Sequence, residues 1–196
     1  MWKQLDQGHI DYGSQLWHPL QSVNLQKIET FTKRIPQVKE ENYWMRLCSL
    51  KMNSQQRRLE RYRIIYTWKS VEGIVPECGV KEKNQSESRT GRTCMIPKIS
   101  NLATQRTKTL REQSFQVHGP GLFNYLPKSI RNITKCSINK FKEPLDLFLK
   151  NIPDQPLIGD LIPTPMNQST GRHSNSLIDQ IREYQSVPEN QRRPGA

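Results

Sequence analysis

Apolar positions recur along this chain in short helical stripes separated by polar stretches. From Ser22, an N-cap candidate, Leu25, Ile28, Phe31 and Ile35 follow at steps of three, three and four before Pro36 stops the run. Tyr43, Leu47 and Leu50 fall together in a shorter segment, Asn42 to Leu50. The strongest pattern predicts a helix from about Ser54, again an N-cap candidate, to Val71, ended by Gly73. At about 100° per residue, Leu59, Tyr62 and Tyr66 share one face while Ile65 and Trp68 lie on another. A helix apolar on two sides is expected at the centre of a body.

Residues 80–93 include the polar run KEKNQSESRTGRT and are expected to form a loop. Beyond it, Cys94-Met95-Ile96 and Ser114-Phe115-Gln116-Val117 are short strand candidates that would pair as a hairpin across a basic connector. His118-Gly119-Pro120-Gly121 then punctuates the chain, and Leu122 to Pro127 predicts a helical turn or two. From Ser137 to Leu149, Ile138, Phe141, Leu145, Phe148 and Leu149 share a face. Pro144 either kinks that helix or starts it anew from its first turn.

After Lys150 the periodicity fades, and residues 151–196 carry six of the 13 prolines. Only Ser176 to Tyr184 suggests a helical turn or two, with Leu177 and Ile181 four residues apart. The expected fold is mainly α: a small helical bundle with a short β-hairpin over residues 1–150, followed by a largely disordered, Pro-rich tail over 151–196.

Composition sharpens this picture. Apolar residues make up 34% of the 196 positions, below the roughly 45–50% of ordinary globular chains, which argues against a large, uniformly packed enzyme core. Lys and Arg number 30 against 18 Asp and Glu, a formal charge of +12. The body holds 26 of the basic and 13 of the acidic residues, and the tail is nearly neutral. Such a surplus favours a polyanionic partner, because neutralising phosphates releases condensed counterions. No apolar run suffices for a transmembrane segment or a signal peptide, so an intracellular protein, nuclear or cytoplasmic and without a membrane partner, is expected. Cys48, Cys78, Cys94 and Cys136 include no CxxC pair, so reduced thiols are expected rather than a zinc site.

Catalytic templates are absent. The chain has no Walker loop, GxGxxG, HExxH or GxSxG, and neither Asp-Asp nor Asp-x-Asp. Glu40-Glu41 suits a helix N-terminus, and Cys78 or Cys94 with His118 is a pairing any chain with these residues would offer. No catalytic, metal-binding or cofactor-binding residue and no small-molecule substrate are therefore expected. The basic residues of the predicted central helix are more informative. Arg57 and Arg61 stack one turn apart, Arg58 is displaced toward the row holding Lys69, and Arg63 extends the set. Guanidinium groups suit phosphates through paired hydrogen bonds, so Arg57, Arg58, Arg61, Arg63 and Lys69 are candidate nucleic-acid contacts; the alternative is an ordinary solvated helix end. Tyr62, Tyr66 and Trp68 are either stacking platforms or core.

Several ordered strings resemble a known family. Ile10-Asp11-Tyr12-Gly13-Ser14-Gln15-Leu16-Trp17-His18-Pro19 and Gln56-Arg57-Arg58-Leu59-Glu60-Arg61-Tyr62-Arg63-Ile64-Ile65-Tyr66-Thr67-Trp68-Lys69 look like the C-terminal part of reverse transcriptases from non-LTR, jockey-like LINE retrotransposons. The agreement continues through Gly91-Arg92, Ile96-Pro97, Ser114 to Val117, His118-Gly119-Pro120, Leu122-Phe123-Asn124, Leu126-Pro127, Ile130-Arg131-Asn132, Phe141-Lys142, Leu145-Asp146 and Phe148-Leu149. Ile152-Pro153-Asp154-Gln155-Pro156 and Ser174-Asn175-Ser176-Leu177 extend it into the tail. It covers about residues 9–180. Gly13 departs from the Cys or Ala usual there, and Pro144 from the usual helix formers.

The resemblance implies the thumb and post-thumb region of an RNA-directed DNA polymerase, with the fingers and the palm and its paired aspartates lying upstream. Such a fragment is not expected to be an enzyme by itself. Its implied partner is the backbone of an RNA or RNA–DNA duplex. A rival reading is a protein-interaction module whose apolar faces dock on a palm and fingers or on another protein. A third is a decaying element fragment with no selected function.

Overall fold

A computed structural model describes residues 12, 47, 49, 51–76, 78–83, 91–152, 154 and 177–186. Six helices are defined among them: α1 (Gln55–Val71), α2 (Gln105–Gln113), α3 (Phe115–Tyr125), α4 (Lys128–Arg131), α5 (Ile138–Lys150) and α6 (Leu177–Ser186). The protein is mainly helical. None of the described helices is long and apolar enough to cross a membrane. The chain divides into two compact units, one of Met1–Leu20 with Leu59–Leu149 and one of Gln21–Arg58 with Lys150–Ala196.

In the first unit α1 is the central element, as its two apolar sides imply. Leu59, Ile64 and Trp68 are fully buried, and so are the polar Thr67 and, nearly, Glu60. Thr67 satisfies its hydroxyl locally by donating to the Arg63 carbonyl at 2.8 Å. Trp68 stacks on Phe141 of α5 with ring centroids 4.6 Å apart and planes 9° from parallel. Its indole N–H donates to the Ile133 carbonyl at 2.9 Å, so the buried ring leaves no polar atom unmet.

Both ends of α1 follow local chemistry. The Ser54 hydroxyl accepts from the Arg57 amide at 3.1 Å, capping the N-terminus. At the other end Gly73 takes φ +70°, the Ile74 amide returns to the Lys69 carbonyl at 2.9 Å, and the Gly73 amide returns to Ser70 at 3.2 Å. These two bonds form a Schellman motif, whose left-handed residue favours glycine.

The predicted hairpin between Cys94–Ile96 and Ser114–Val117 does not form. Cys94 instead makes an isolated antiparallel bridge with Glu82, flanked by bonds from the Lys83 amide to the Thr93 carbonyl at 2.8 Å and from the Met95 amide to the Lys81 carbonyl at 2.7 Å. No extended strand occurs among the described residues. Ser114 is the junction between two helices: its carbonyl accepts from the His118 amide at 2.9 Å, and Phe115 begins α3. The Gly-Pro-Gly run expected to break the chain lies inside this helix.

Burial explains that inversion. Gly119, Pro120, Gly121, Leu122 and Phe123 are all buried, and a Cβ on Gly119 would meet Thr67 Oγ1 at 2.7 Å and Phe115 Cε2 at 2.9 Å. The glycine lets α3 approach α1 closely, and Phe115 adds an edge-to-face contact with Tyr66 at 5.2 Å. Tertiary packing overrides the weak intrinsic helix propensity of the segment.

In α5, Phe141, Leu145 and Leu149 are buried as their spacing predicts. Pro144 lies within one continuous 13-residue helix, so the restart alternative does not hold.

In the second unit Leu47 is helical and buried. The predicted helix from Ser22 to Ile35 lies outside the described residues, as does loop segment 84–90. Where a helical turn or two is expected from Ser176 to Tyr184, Leu177–Ser186 form a ten-residue helix whose Leu177 and Ile181 are fully buried. The apolar pair one turn apart is the stripe that this short helix buries.

Candidate nucleic-acid interface

The five basic residues expected to form outward ridges on α1 do not share a solvent-facing surface. Arg57 is 2% exposed. Its guanidinium donates to Gln180 Oε1 and to the Ile152 carbonyl at 3.5 Å, and its Nε lies 3.7 Å from Asp154 Oδ1. Asp154 also receives the Ser54 hydroxyl at 2.8 Å, and the Ser54 amide at 2.5 Å. Arg57 is thus part of the cluster that ties the start of α1 to α6 and the segment before it. Arg58 is buried as well.

Arg61 forms a forked pair with Asp146 of α5, Nε to Oδ1 at 2.5 Å and Nη2 to Oδ2 at 2.7 Å. Arg63 is 2% exposed, and its Nη1 approaches His118 Nδ1 at 2.5 Å. With the guanidinium donating, Nδ1 is the acceptor and the imidazole proton sits on Nε2. Burial lowers the Arg63 pKa from 12.5 to about 10 against the opposing attraction of Glu60, which still leaves it charged at neutral pH. Lys69, half-buried, supplies the carbonyl of the Schellman turn. The alternative reading of a solvated helix end fails equally, because three of these arginines are buried.

A second charged cluster holds the irregular segment around Cys94. Arg92 pairs with Glu72 Oε1 at 2.6 Å and with Glu82 Oε1 at 2.9 Å. The Arg92 amide donates to Asn132 Oδ1 at 3.0 Å. Arg131 donates to the Leu126 carbonyl and to the Arg92 carbonyl, both at 2.8 Å. Desolvation lowers the Arg131 pKa, partly opposed by Cys94. Gly91, at φ +84°, turns the chain where a Cβ would stand 3.0 Å from Asn132 Oδ1. Arginine suits such positions because its planar fork satisfies several acceptors while staying charged.

Exposed basic residues occur at several other described positions, among them Lys128, Lys135, Lys140 and Lys150 and a set close together in residues 95–113. Residues 95–113 contain Lys98, Arg106, Lys108 and Arg111 against the single acid Glu112. Lys98, Arg106 and Arg111 are exposed and Lys108 is half-buried. A turn at Ser100–Ala103, closed by the Ala103 amide on the Ser100 carbonyl at 3.1 Å, leads into α2. Thr104 caps this helix by accepting from the Thr107 amide at 3.3 Å. The first turn of α2 carries no acidic residue, so its two cations sit at the end where the helix dipole disfavours them. The density of basic residues between Lys98 and Arg111 was visible in the sequence. Its assignment as a hairpin connector hid a presented helix.

Comparison with protein-family models, curated proteins and solved structures finds no match to the chain.

Proposed function

We propose that the chain is the thumb and post-thumb part of a LINE-type reverse transcriptase, acting as a non-catalytic helical module that holds the backbone of an RNA or RNA–DNA duplex. The observation that carries this reading is the cationic segment of residues 95–113, with four basic residues, three of them exposed, against the single acid Glu112. The chain's surplus of +12 supports it. The ordered strings quoted for the resemblance add support: Gly91, Arg92, Asn124, Arg131 and Asn132, far apart in sequence, belong to one network in the first unit. Their part is to hold the fold that presents that segment.

Binding of this kind reads phosphate and helical shape, so affinity is insensitive to base sequence and falls steeply with salt. Titrating fluorescently labelled RNA–DNA duplexes of unrelated sequence at several salt concentrations tests it. Equal affinities and a steep salt slope are expected; absence of binding, or binding indifferent to salt, overturns the reading. The same preparation is expected to extend no primer, because the chain carries no Asp-Asp or Asp-x-Asp pair to hold two metal ions.

A second reading, docking to another protein, draws on Leu102, Met95 and Ile96, which are 96%, 49% and 47% exposed. Apolar docking would persist at high salt, so the same titration, run with a candidate protein partner, separates the two.

A further inference from the structure

The bridge between Glu82 and Cys94 leaves its two residues in unequal positions. Its flanking bonds run from the Met95 amide to the Lys81 carbonyl at 2.7 Å and from the Lys83 amide to the Thr93 carbonyl at 2.8 Å. In this antiparallel arrangement the bonds belong to the neighbours, so the bridged residues turn their own N–H and C=O away from each other. On the Cys94 side both groups are taken by the Asn124 side chain, at 2.8 and 3.0 Å. On the Glu82 side, the main-chain N–H and C=O meet no hydrogen-bond partner among the described residues. Lys81 and Lys83 are exposed and Glu82 is half-buried, so this edge is open to solvent.

Side chains alternate across an extended segment. Glu82 shares a face with the buried Cys94, and its carboxylate accepts from Arg92 at 2.9 Å. Lys81 and Lys83 take the other face, where Met95 is also exposed. An open edge of this kind is a template for a further strand, with one donor and one acceptor on the same residue and a cation on either side. Lysines on an edge deter a strand of like charge and favour one of opposite charge, because charges directly opposed across a ladder repel or attract accordingly.

We propose that the edge at Lys81–Lys83 docks an extended acidic segment of another protein, added as a strand. The incoming residue opposite Glu82 accepts from the Glu82 amide and donates to the Glu82 carbonyl, and its two neighbours are acids that oppose Lys81 and Lys83. Charge complementarity selects this occupant. The 18 acids of the chain include no two separated by a single residue, so neither its own remainder nor a second copy supplies that pattern. A second copy pairing edge to edge would also set lysine against lysine. A nucleic acid meets the lysines but brings no amide backbone to complete the pairing at Glu82. The inference stands apart from the duplex-holding reading, whose basic segment lies further along the chain.

The probe is a short capped peptide alternating glutamate and valine, titrated into the full-length, isotope-labelled chain. Amide shifts and hydrogen exchange are read residue by residue. Binding is expected to shift the amides of residues 81–83 and to slow exchange at Glu82. The same peptide N-methylated at its valines keeps every charge but loses the donors that meet the edge, and is expected to bind the parent chain at least about tenfold more weakly. The variant Lys81→Glu/Lys83→Glu is expected to reverse the preference by about tenfold, toward a peptide alternating lysine and valine, on the scale of two cross-strand charge pairs. The control Lys140→Glu/Lys150→Glu, which reverses two exposed charges of α5, is expected to bind the acidic peptide like the parent. Thermal melts accompany both variants, and the N-methylated peptide tests the pairing on the parent chain alone.

No binding of the acidic peptide, or binding that leaves exchange at Glu82 unchanged, overturns the proposal. Equal binding of the methylated and unmethylated peptides reduces the contact to charge attraction and overturns strand addition. Equal losses in the edge variant and the α5 control overturn the assignment to residues 81–83. An RNA–DNA duplex that protects the Glu82 amide as well as the peptide does would give the edge to nucleic acid and overturn the polypeptide occupant.

Discussion

Asn124 holds the backbone of Cys94 through both its N–H and its C=O, as a neighbouring strand would. Its Oδ1 accepts from the Cys94 amide at 2.8 Å and its Nδ2 donates to the Cys94 carbonyl at 3.0 Å. A helix thereby supplies, through one side chain, the ladder bonds that an extended segment beside it lacks. Cys94 is fully buried, so water is a poor substitute. Asn124→Ala is expected to lower stability by about 1–3 kcal/mol, the cost of leaving buried backbone groups unmet. Urea denaturation of the variant checks this; an unchanged midpoint would show that the pair does not anchor the segment.

The buried Cys94 thiol gives the fold an alkaline limit. Desolvation, reinforced by Glu82 and opposed by Arg92 and Arg131, pushes its pKa from 9.0 up to about 12. Above pH 9 the unfolded chain releases this proton while the folded chain retains it, so stability contributed by the group falls as pH rises, by at most about 1.4 kcal/mol per pH unit. Denaturation of parent and Cys94→Ala between pH 8 and about 11 is expected to show a steeper decline in the parent. Maleimide labelling below pH 9 should modify the half-buried Cys78 and Cys136 before Cys94.

Two glycines make opposite demands. At Gly119 an added methyl collides with Thr67 and Phe115, so Gly119→Ala is expected to cost about 1–3 kcal/mol by overpacking the α1–α3 crossing. At Gly73 nothing lies within 4 Å of the added carbon, and the cost of Gly73→Ala, about 1–2 kcal/mol, comes from the positive φ. Gly73→Asn distinguishes them, because asparagine tolerates the left-handed region and should recover part of the loss. Thermal melts of the three variants are the measurement.

The C-terminal helix contributes to its own unit. Ile181 is fully buried, and Ile181→Ala is expected to destabilise that unit by about 2–5 kcal/mol. Limited proteolysis provides the readout: cleavage near Leu177–Ser186 should accelerate in the variant. Cleavage at the parent's rate would show that α6 carries little of the packing.

Local signals were legible where chemistry is confined to a few residues. Ser54 and Gly73 announced both ends of α1, and Phe141, Leu145 and Leu149 announced the buried stripe of α5. Meaning set by a distant neighbour was hidden. Gly119 looked like a break because nothing in the chain shows that Thr67 will stand against it. Phe115 and Val117 alternate as in a strand, yet Phe115 meets Tyr66 from within a helix. The arginines of α1 looked like a surface for the same reason. Charge is visible in a sequence, while Gln180 and Asp154 meeting Arg57 are not.

Burial of guanidinium groups divides the arginines among the described residues into two populations with different tolerance to exchange. At Arg63 and Arg131 a lysine would bring a compact, strongly hydrated ammonium into a site shaped for a planar fork, and acceptors such as the Leu126 and Arg92 carbonyls would lose their shared donor. At Arg106 and Arg111 the same replacement keeps the charge in water. Saturation mutagenesis of this protein would therefore score arginine-to-lysine as damaging in the first group and nearly silent in the second, and the isoelectric point overstates how much of its positive charge any outside molecule can meet.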